Sequence, residues 1–430
     1  MLGSYTSPVN SSLTSAASSS PVLLSPATRQ QNTDPPVILD IGARGIRAGI
    51  AGHSSPLVDL PLAKDPRGRI KTSVIWPLDL TDSQAELKIR DHLFVLLQEI
   101  YYRCLLLDGR TRKVVILENP RMSLVIKRAI AFVLFNNFQA ISATFFLSPL
   151  ATTIAAGSNS ALVVDIGWHE TTVTPILYHK PLIPGIVSTQ RGSSYLHSLV
   201  HKALQEAISD KVSVQAVDDF VSSSLFMTPL SSPIPADSAF TAVLDGVTHY
   251  VSSLMTRYQP VFSCFFARAQ DGFDDFDSIP LPELILSSMR RLGPDARARL
   301  SGRIVVTGAA AAIPGLRLSI LDSLKSALPS SEPTNSRSSI PIFRPEDSVS
   351  MSLIDSLGSW VGASLYITAE RDYNLRRTAK STSLRSRSTG TSSAATFRIP
   401  GEIERDRFLT DEEYSYYLYD WTQPTSTNKT

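Results

Sequence analysis

Residues 37–52 read VILDIGARGIRAGIAG: an apolar, β-branched run, an Asp-Ile-Gly turn, and a second run of mixed character. A continuous apolar run closed by a glycine turn is the pattern of a buried strand. Asp40 puts a carboxylate at the end of that strand, and Gly42 lets the backbone come close to a ligand. The stretch reads as a strand-turn-strand hairpin of the kind that grips phosphate, with Arg44 standing where a small residue would suit the turn. One copy is weak evidence, because Asp and Gly gather at turns for conformational reasons alone.

The pattern recurs. Residues 162–176, LVVDIGWHETTVTPI, again read strand, Asp-Ile-Gly turn, strand. Two such turns facing each other can offer backbone N–H groups to phosphate oxygens from both sides, while Asp40 and Asp165 hold a hydrated Mg²⁺ between them. A third element, RIVVTGAAAAIPGLRLSIL at 303–321, is a strand running into a small-residue turn and a helix. Gly308 would let a nucleotide pass close to the backbone, and the helix N-terminus favours negative charge.

The rest of the chain alternates β-branched runs with amphipathic ones, the pattern of an α/β protein. VILDI, IRAGIA, KVVIL, ALVVDI, TTVTPIL and RIVVTG are expected strands. In residues 86–107, Leu93, Leu96, Leu97, Ile100, Tyr101 and Cys104 recur at helical spacing and predict one buried face. Helices are also expected over 123–138 and 313–328. Residues 205–280 have weak periodicity, and their elements are left unassigned. His197 and His201 have metal-ligand spacing, but no Glu lies between them, so they read as an ordinary helix face.

With 430 residues, 43% hydrophobic and 19% charged, the chain is long enough for about two globular domains. A net charge of +2 gives no reason to expect nucleic acid as a partner. Both cysteines, Cys104 and Cys264, lie among apolar residues and read as reduced, buried thiols of an intracellular protein. The N-terminus lacks the pattern of a secretory signal. The best apolar run, at 123–135, is too short to span a bilayer and carries Lys127 and Arg128, so no direct membrane insertion is expected. Residues 1–36, rich in Ser, Thr, Pro and Ala, read as a disordered arm. Residues 374–430 read as a flexible basic tail whose aromatic, acidic end, DEEYSYYLYDWTQP, is expected to dock on the folded body or a partner.

The order of these motifs resembles the actin superfamily, whose fold clamps ATP between two similar lobes. The likeness is carried by DIGARGIRAGIAGHSSP at 40–56, ALVVDIGWHETTVTPILYHKPL at 161–182, ELILSSMRRLGPDARARLSGRIVVTGAAAAIPGL at 283–316 and SWVGASLYITAERDYN at 359–374. It implies an α/β, actin-like two-lobed fold, made of duplicated ribonuclease H-like domains around a nucleotide cleft. Residues 37–150 would form the first lobe, completed by about 345–373, and residues 151–344 the second. By the same resemblance, Asp40 and Asp165 match the carboxylates that organise the metal through water, and Gly42 and Gly167 match the turn glycines. Arg47 stands at the phosphate-contacting lysine, and Gly308 lies in the adenosine-contacting turn. The implied cofactor is ATP or ADP with Mg²⁺, in a cleft that can also stand empty.

The departures from the family pattern point away from catalysis. Ala43 replaces a phosphate-contacting serine, Trp168 an acidic residue and His169 a glycine. Ser148 stands at the water-positioning glutamine and Thr172 at the catalytic histidine. The adenosine turn reads Gly308-Ala309-Ala310, DDFVSSSLF at 218–226 lacks the expected Lys-Glu pair, and Ser356 stands at the adenine-flanking lysine. No catalytic residue is therefore assigned.

Only residues 57–84 separate the first turn from the long helix, so the family's small outer subdomain is severely shortened. A protomer without it could add to a filament but would offer no normal surface for further growth. DGRTRKVVILENP at 108–120 and the stretch 145–178 are most similar to the divergent class that caps the pointed end of the actin-related filament of dynactin. That resemblance implies a non-catalytic cytoplasmic, cytoskeletal subunit that supports dynein-driven transport. Its partners would be the filament's actin-related protein and the other pointed-end subunits. Two other classes stay open at this point: a nuclear actin-related subunit of a chromatin-remodelling complex, and an active ATP-dependent enzyme with the same clamp.

Overall fold

Two sheets built to one plan carry the turns. The computed structural model describes residues 34–61, 75, 84–208, 211–268, 278–326, 349–354, 357–385 and 402–410. In the first sheet, Val37–Ile41 pairs antiparallel with Gly45–Ile50, which sets Asp40 opposite Arg47, and Val58–Pro61 lies beyond. On its other side Val37–Ile41 pairs in parallel with Lys113–Glu118, and that strand with Ser142–Leu147. Every residue of Lys113–Glu118 is buried, as expected of a central parallel strand covered on both faces.

The second sheet repeats this arrangement. Ala161–Ile166 pairs antiparallel with Thr171–Leu177, setting Asp165 opposite Thr172, and Thr171–Leu177 pairs onward with Val187–Thr189 and Lys180–Pro181. On the other side Ala161–Ile166 takes Ile304–Thr307 in parallel, and that strand takes Met351–Leu353. Each lobe thus has a hairpin with parallel strands added on one flank, and crossovers between parallel strands need intervening helices. The fold is the expected α/β, actin-like two-lobed one.

The helix Gly358–Arg385 ties the lobes together. Trp360 is fully buried with Ile38, Val115 and Leu117, and its indole N–H donates to the Ile38 carbonyl at 3.3 Å. Its partner helix is Ser148–Ala155, and Gly362 makes the crossing tight. A Cβ at Gly362 would lie 1.8 Å from the Ala151 carbonyl oxygen, and one at Gly49 would lie 2.7 Å from the Trp360 ring. The Trp-x-Gly pattern is therefore a packing device: Gly49 makes room for the Trp360 ring, and Gly362 admits the backbone of the partner helix.

Several expectations change. Residues 34–36 are held to the fold rather than belonging to an arm: Arg112 pairs with Asp34, and the Ala51 N–H donates to Pro36. Met351–Leu353 belongs to the second-lobe sheet, so the return to the first lobe begins with the helix at Gly358 and not near residue 345. That helix runs through Arg385, into the stretch expected to be flexible. The chain then returns to the first lobe. Ile403–Glu404 adds an antiparallel edge strand to Ser142–Leu147, Lys113 and Glu402 form a buried ion pair at 2.7 Å, and Phe408 packs on Phe135.

Cys104 is exposed whereas Cys264 is buried. The reason is local: at Ile100–Cys104 the helix widens, with the Leu105 N–H donating to Ile100, and the shifted phase turns residue 104 off the buried row. Residues 205–280 contain the helix Val214–Ser224 and the hairpin of Ala239–Leu244 with Val247–Ser252. The expected arm over residues 1–33, most of the shortened outer subdomain (62–74 and 76–83), Ser356 and the aromatic end at 411–430 lie outside the described residues.

Candidate functional site

The two Asp-Ile-Gly turns close in the same way. The Gly42 N–H donates to the Gly45 carbonyl at 2.9 Å, and the Gly167 N–H to the Glu170 carbonyl at 3.0 Å. Gly308, at φ +99°, brings the third element against the second turn, where a Cβ would lie 2.3 Å from the Ile166 carbonyl oxygen. No other residue tolerates both that backbone and that approach. Between the lobes lies a cleft of about 780 Å³, and Asp40, Gly42, Arg47, Asp165, Gly167 and Gly308 all line it. All six residues singled out from the sequence therefore converge on one site.

Asp40 accepts from Arg47 and from Ser359, each at 3.3 Å, and Arg47 also lies 3.5 Å from Asp59. Arg47 is thus held between two carboxylates of its own lobe. Burial raises the Asp40 carboxyl above its ordinary range, against the opposing pull of Arg47 and Ser359. Asp165 is pushed up to about 6, first by burial and then by the negative charges of Asp40 and Glu170. Two buried carboxylates, one raising the proton affinity of the other, form a donor set suited to a hydrated divalent cation. Among the described residues there is no group of three or more His, Cys, Asp and Glu able to hold a metal directly.

The tips of the turns meet. Arg44 reaches from the first turn to Asp218 on Val214–Ser224, bonding both carboxylate oxygens at 3.0 and 2.7 Å. Its guanidinium carbon lies 4.3 Å from the centre of the Trp168 ring, at the tip of the second turn. His197 Nδ1 lies 2.9 Å from Asp218, and its ring meets Trp168 edge-on at 4.8 Å. Burial lowers the His197 pKa, helped by Arg44 and opposed by Asp218, so a neutral ring donating through Nδ1 fits this geometry. His201 turns instead toward the Val212 carbonyl, so the two histidines do not converge on a metal. Asp218 lies in DDFVSSSLF, singled out in the sequence only for lacking a Lys-Glu pair, and nothing local marks it as the partner of Arg44.

Two more bridges cross the cleft. Arg121 pairs with Glu170 at 3.1 Å, and the Asn119 side-chain amide donates to Thr172 Oγ1 at 3.3 Å. Thr172 is fully buried in this contact, and Ser148 lines the cleft. Neither side chain can act as a general base near neutral pH. At the tips of the two turns Arg44 and Trp168 are in contact, and Arg44 is already engaged with Asp218. The flank formed by Val214–Ser224 offers Gln215, Asp219, Ser222 and Ser223, and no lysine is among the described residues that line the cleft. Among the described residues no helix is long and apolar enough to cross a membrane.

The family model described as Actin matches residues 31–222. The chain is similar to Actin-related protein 10 of Dictyostelium discoideum, 23% identical over 196 residues, which cover 41% of each chain. It is similar to Actin-like protein ARP10 of Saccharomyces cerevisiae, 30% identical over 113 residues, covering 26% of this chain and 40% of that protein. It is also similar to Actin-related protein 4 of Arabidopsis thaliana, 25% identical over 136 residues, covering 32% of this chain and 28% of that protein. The matches span about two fifths of the length of the first two relatives.

Proposed function

We propose that this chain, a divergent member of the actin superfamily, is a non-catalytic structural subunit that caps the pointed end of the actin-related filament of dynactin. In this role it supports dynein-driven transport along microtubules, works in the cytoplasm, and contacts the filament's actin-related protein and the other pointed-end subunits. The observation that carries the reading is the brevity of the connection in the first lobe. Only residues 62–84 join the strand Val58–Pro61 to the helix Ala85–Glu99, too short a stretch for the outer subdomain that receives the next subunit of a growing filament. Similarity to two proteins named for actin-related protein 10 supports the same class.

The absence of catalysis follows from Ser148 and Thr172, which supply no group to orient or deprotonate an attacking water. Asp40 and Asp165 retain the chemistry to hold a hydrated divalent cation. Affinity purification of the tagged chain with mass spectrometry is expected to recover dynactin and dynein subunits. Recovery of chromatin remodellers without any dynactin subunit would overturn the reading.

A further inference from the structure

We propose that the Arg44–Asp218 pair, stacked on Trp168, is a built-in latch that holds the two lobes closed without a nucleotide. In the fold this chain resembles, the ligand between the turns joins the lobes. Here the joining groups are side chains of the protein itself. Arg44 belongs to the first lobe, and Trp168, His197 and Asp218 belong to the second, so every contact in the cluster crosses the cleft or supports one that does.

The geometry is that of a made joint rather than a chance surface pair. The Arg44 fork matches both oxygens of Asp218, which gives direction as well as attraction. The two side chains are only 18% and 14% exposed, so solvent screens them less than a surface pair. The flat guanidinium lies over the Trp168 face, a contact that a lysine ammonium could not combine with a two-point grip on a carboxylate. His197 Nδ1 lies 2.9 Å from Asp218 Oδ1, the oxygen that Arg44 Nη1 also bonds, and so helps fix the carboxylate for Arg44.

The same residues account for two oddities of the sequence together. An arginine at the tip of one turn and a tryptophan at the tip of the other would each obstruct a phosphate. Placed face to face, they replace it. Arg121 with Glu170 and Asn119 with Thr172 tie the lobes beside the same second turn, so the closed state has support on both flanks of Trp168. The inference rests on the cleft alone and stands apart from the capping role.

The test uses the full-length chain, freed of nucleotide with apyrase and chelator, with Mg-ATP as the added probe. Hydrogen exchange and small-angle scattering are measured on the wild type, Arg44→Ala, Asp218→Ala and the swapped pair Arg44→Asp with Asp218→Arg. The wild type is expected to give the same scattering profile and the same exchange at 167–170 and 214–224 with and without Mg-ATP. Either alanine variant should exchange about tenfold faster or more in those two segments, and the swapped pair, which restores the charge pair without the Trp168 stack or the His197 contact, should recover part of the protection. Should the alanine variants fail to fold, Arg44→Lys keeps the charge without the fork and is expected to show the same faster exchange in milder form. A wild type that opens when nucleotide is removed and closes when Mg-ATP returns would overturn the proposal. So would Arg44 variants whose exchange matches the wild type.

Discussion

Gly362 lies so close to Ala151 that a single added carbon would sit 1.8 Å from the Ala151 carbonyl oxygen. This approach presses the helix Gly358–Arg385 onto Ser148–Ala155, beside the strands that carry Asp40 and Asp165. Gly362→Val is expected to destabilise the protein strongly, because the obstacle is backbone and cannot rotate away. Trp360→Ala, which empties the packing of the same helix on Ile38, Val115 and Leu117, is expected to cost about 3–5 kcal/mol. Denaturant unfolding of both variants checks this; a loss below about 1 kcal/mol for either would show the helix to be loosely held.

The Asp165 carboxyl, raised to about 6 from an ordinary 3.8, predicts a pH dependence of definite sign. A carboxyl raised on folding favours the protonated form in the native state. Its contribution to stability is complete below about pH 4 and is lost as pH rises through about 6. Asp165→Asn keeps a neutral group there at every pH. In the absence of divalent cations it is expected to be more stable than the wild type at pH 8, by on the order of 2 kcal/mol, with the difference vanishing near pH 4. Equal stability of the two proteins across that range would show that Asp165 is not strained by its surroundings.

The returning C-terminal segment is anchored by charge. Lys113 and Glu402 are both 7% exposed and 2.7 Å apart, so replacing one takes a close, buried counter-charge from the other. Glu402→Ala is expected to cost about 3–5 kcal/mol and to free the segment after Ile403 for cleavage by trypsin at Arg405 or Arg407. Unchanged proteolysis would mean that Ile403 and Phe408 hold the segment by themselves.

How far the sequence could be read depended on whether a signal was local. ALVVDI and TTVTPIL are strands at the bounds expected, because each is an apolar run closed by turn residues. Asp40, Gly42, Asp165 and Gly167 were legible because their motif repeats, and Gly308 because its strand runs into a small-residue turn; all five line one cleft. The hairpin in residues 205–280 was overlooked although its tip, Asp245-Gly246, carries a turn signal between two alternating runs. Asp218 was beyond local reading. Its importance lies in a bond to Arg44 across 174 residues, and no periodicity encodes that. Cys104 was misread for a different reason: the widened turn at Ile100–Cys104 depends on how the helix end packs, not on spacing.

Turnover offers a further check on the cleft. The resemblance to the actin superfamily sets Ser148 and Thr172 where its members carry water-orienting groups, and on the proposed non-catalytic role the purified chain is expected to hydrolyse ATP no faster than a buffer control. Converting both residues, by Ser148→Gln and Thr172→His, is not expected to restore hydrolysis while Arg44 remains bonded to Asp218. Measured turnover comparable with that of a polymerising actin would refute the degenerate reading of the site.

The most direct test of the account is filament growth watched one end at a time. Purified chain is added to filaments of dynactin's actin-related protein, and subunit addition at each end is followed by fluorescence microscopy. The account predicts that growth stops at pointed ends while barbed ends continue, and that the chain alone forms no filaments. Continued pointed-end growth past a bound copy, or regular filaments of the chain by itself, would contradict it.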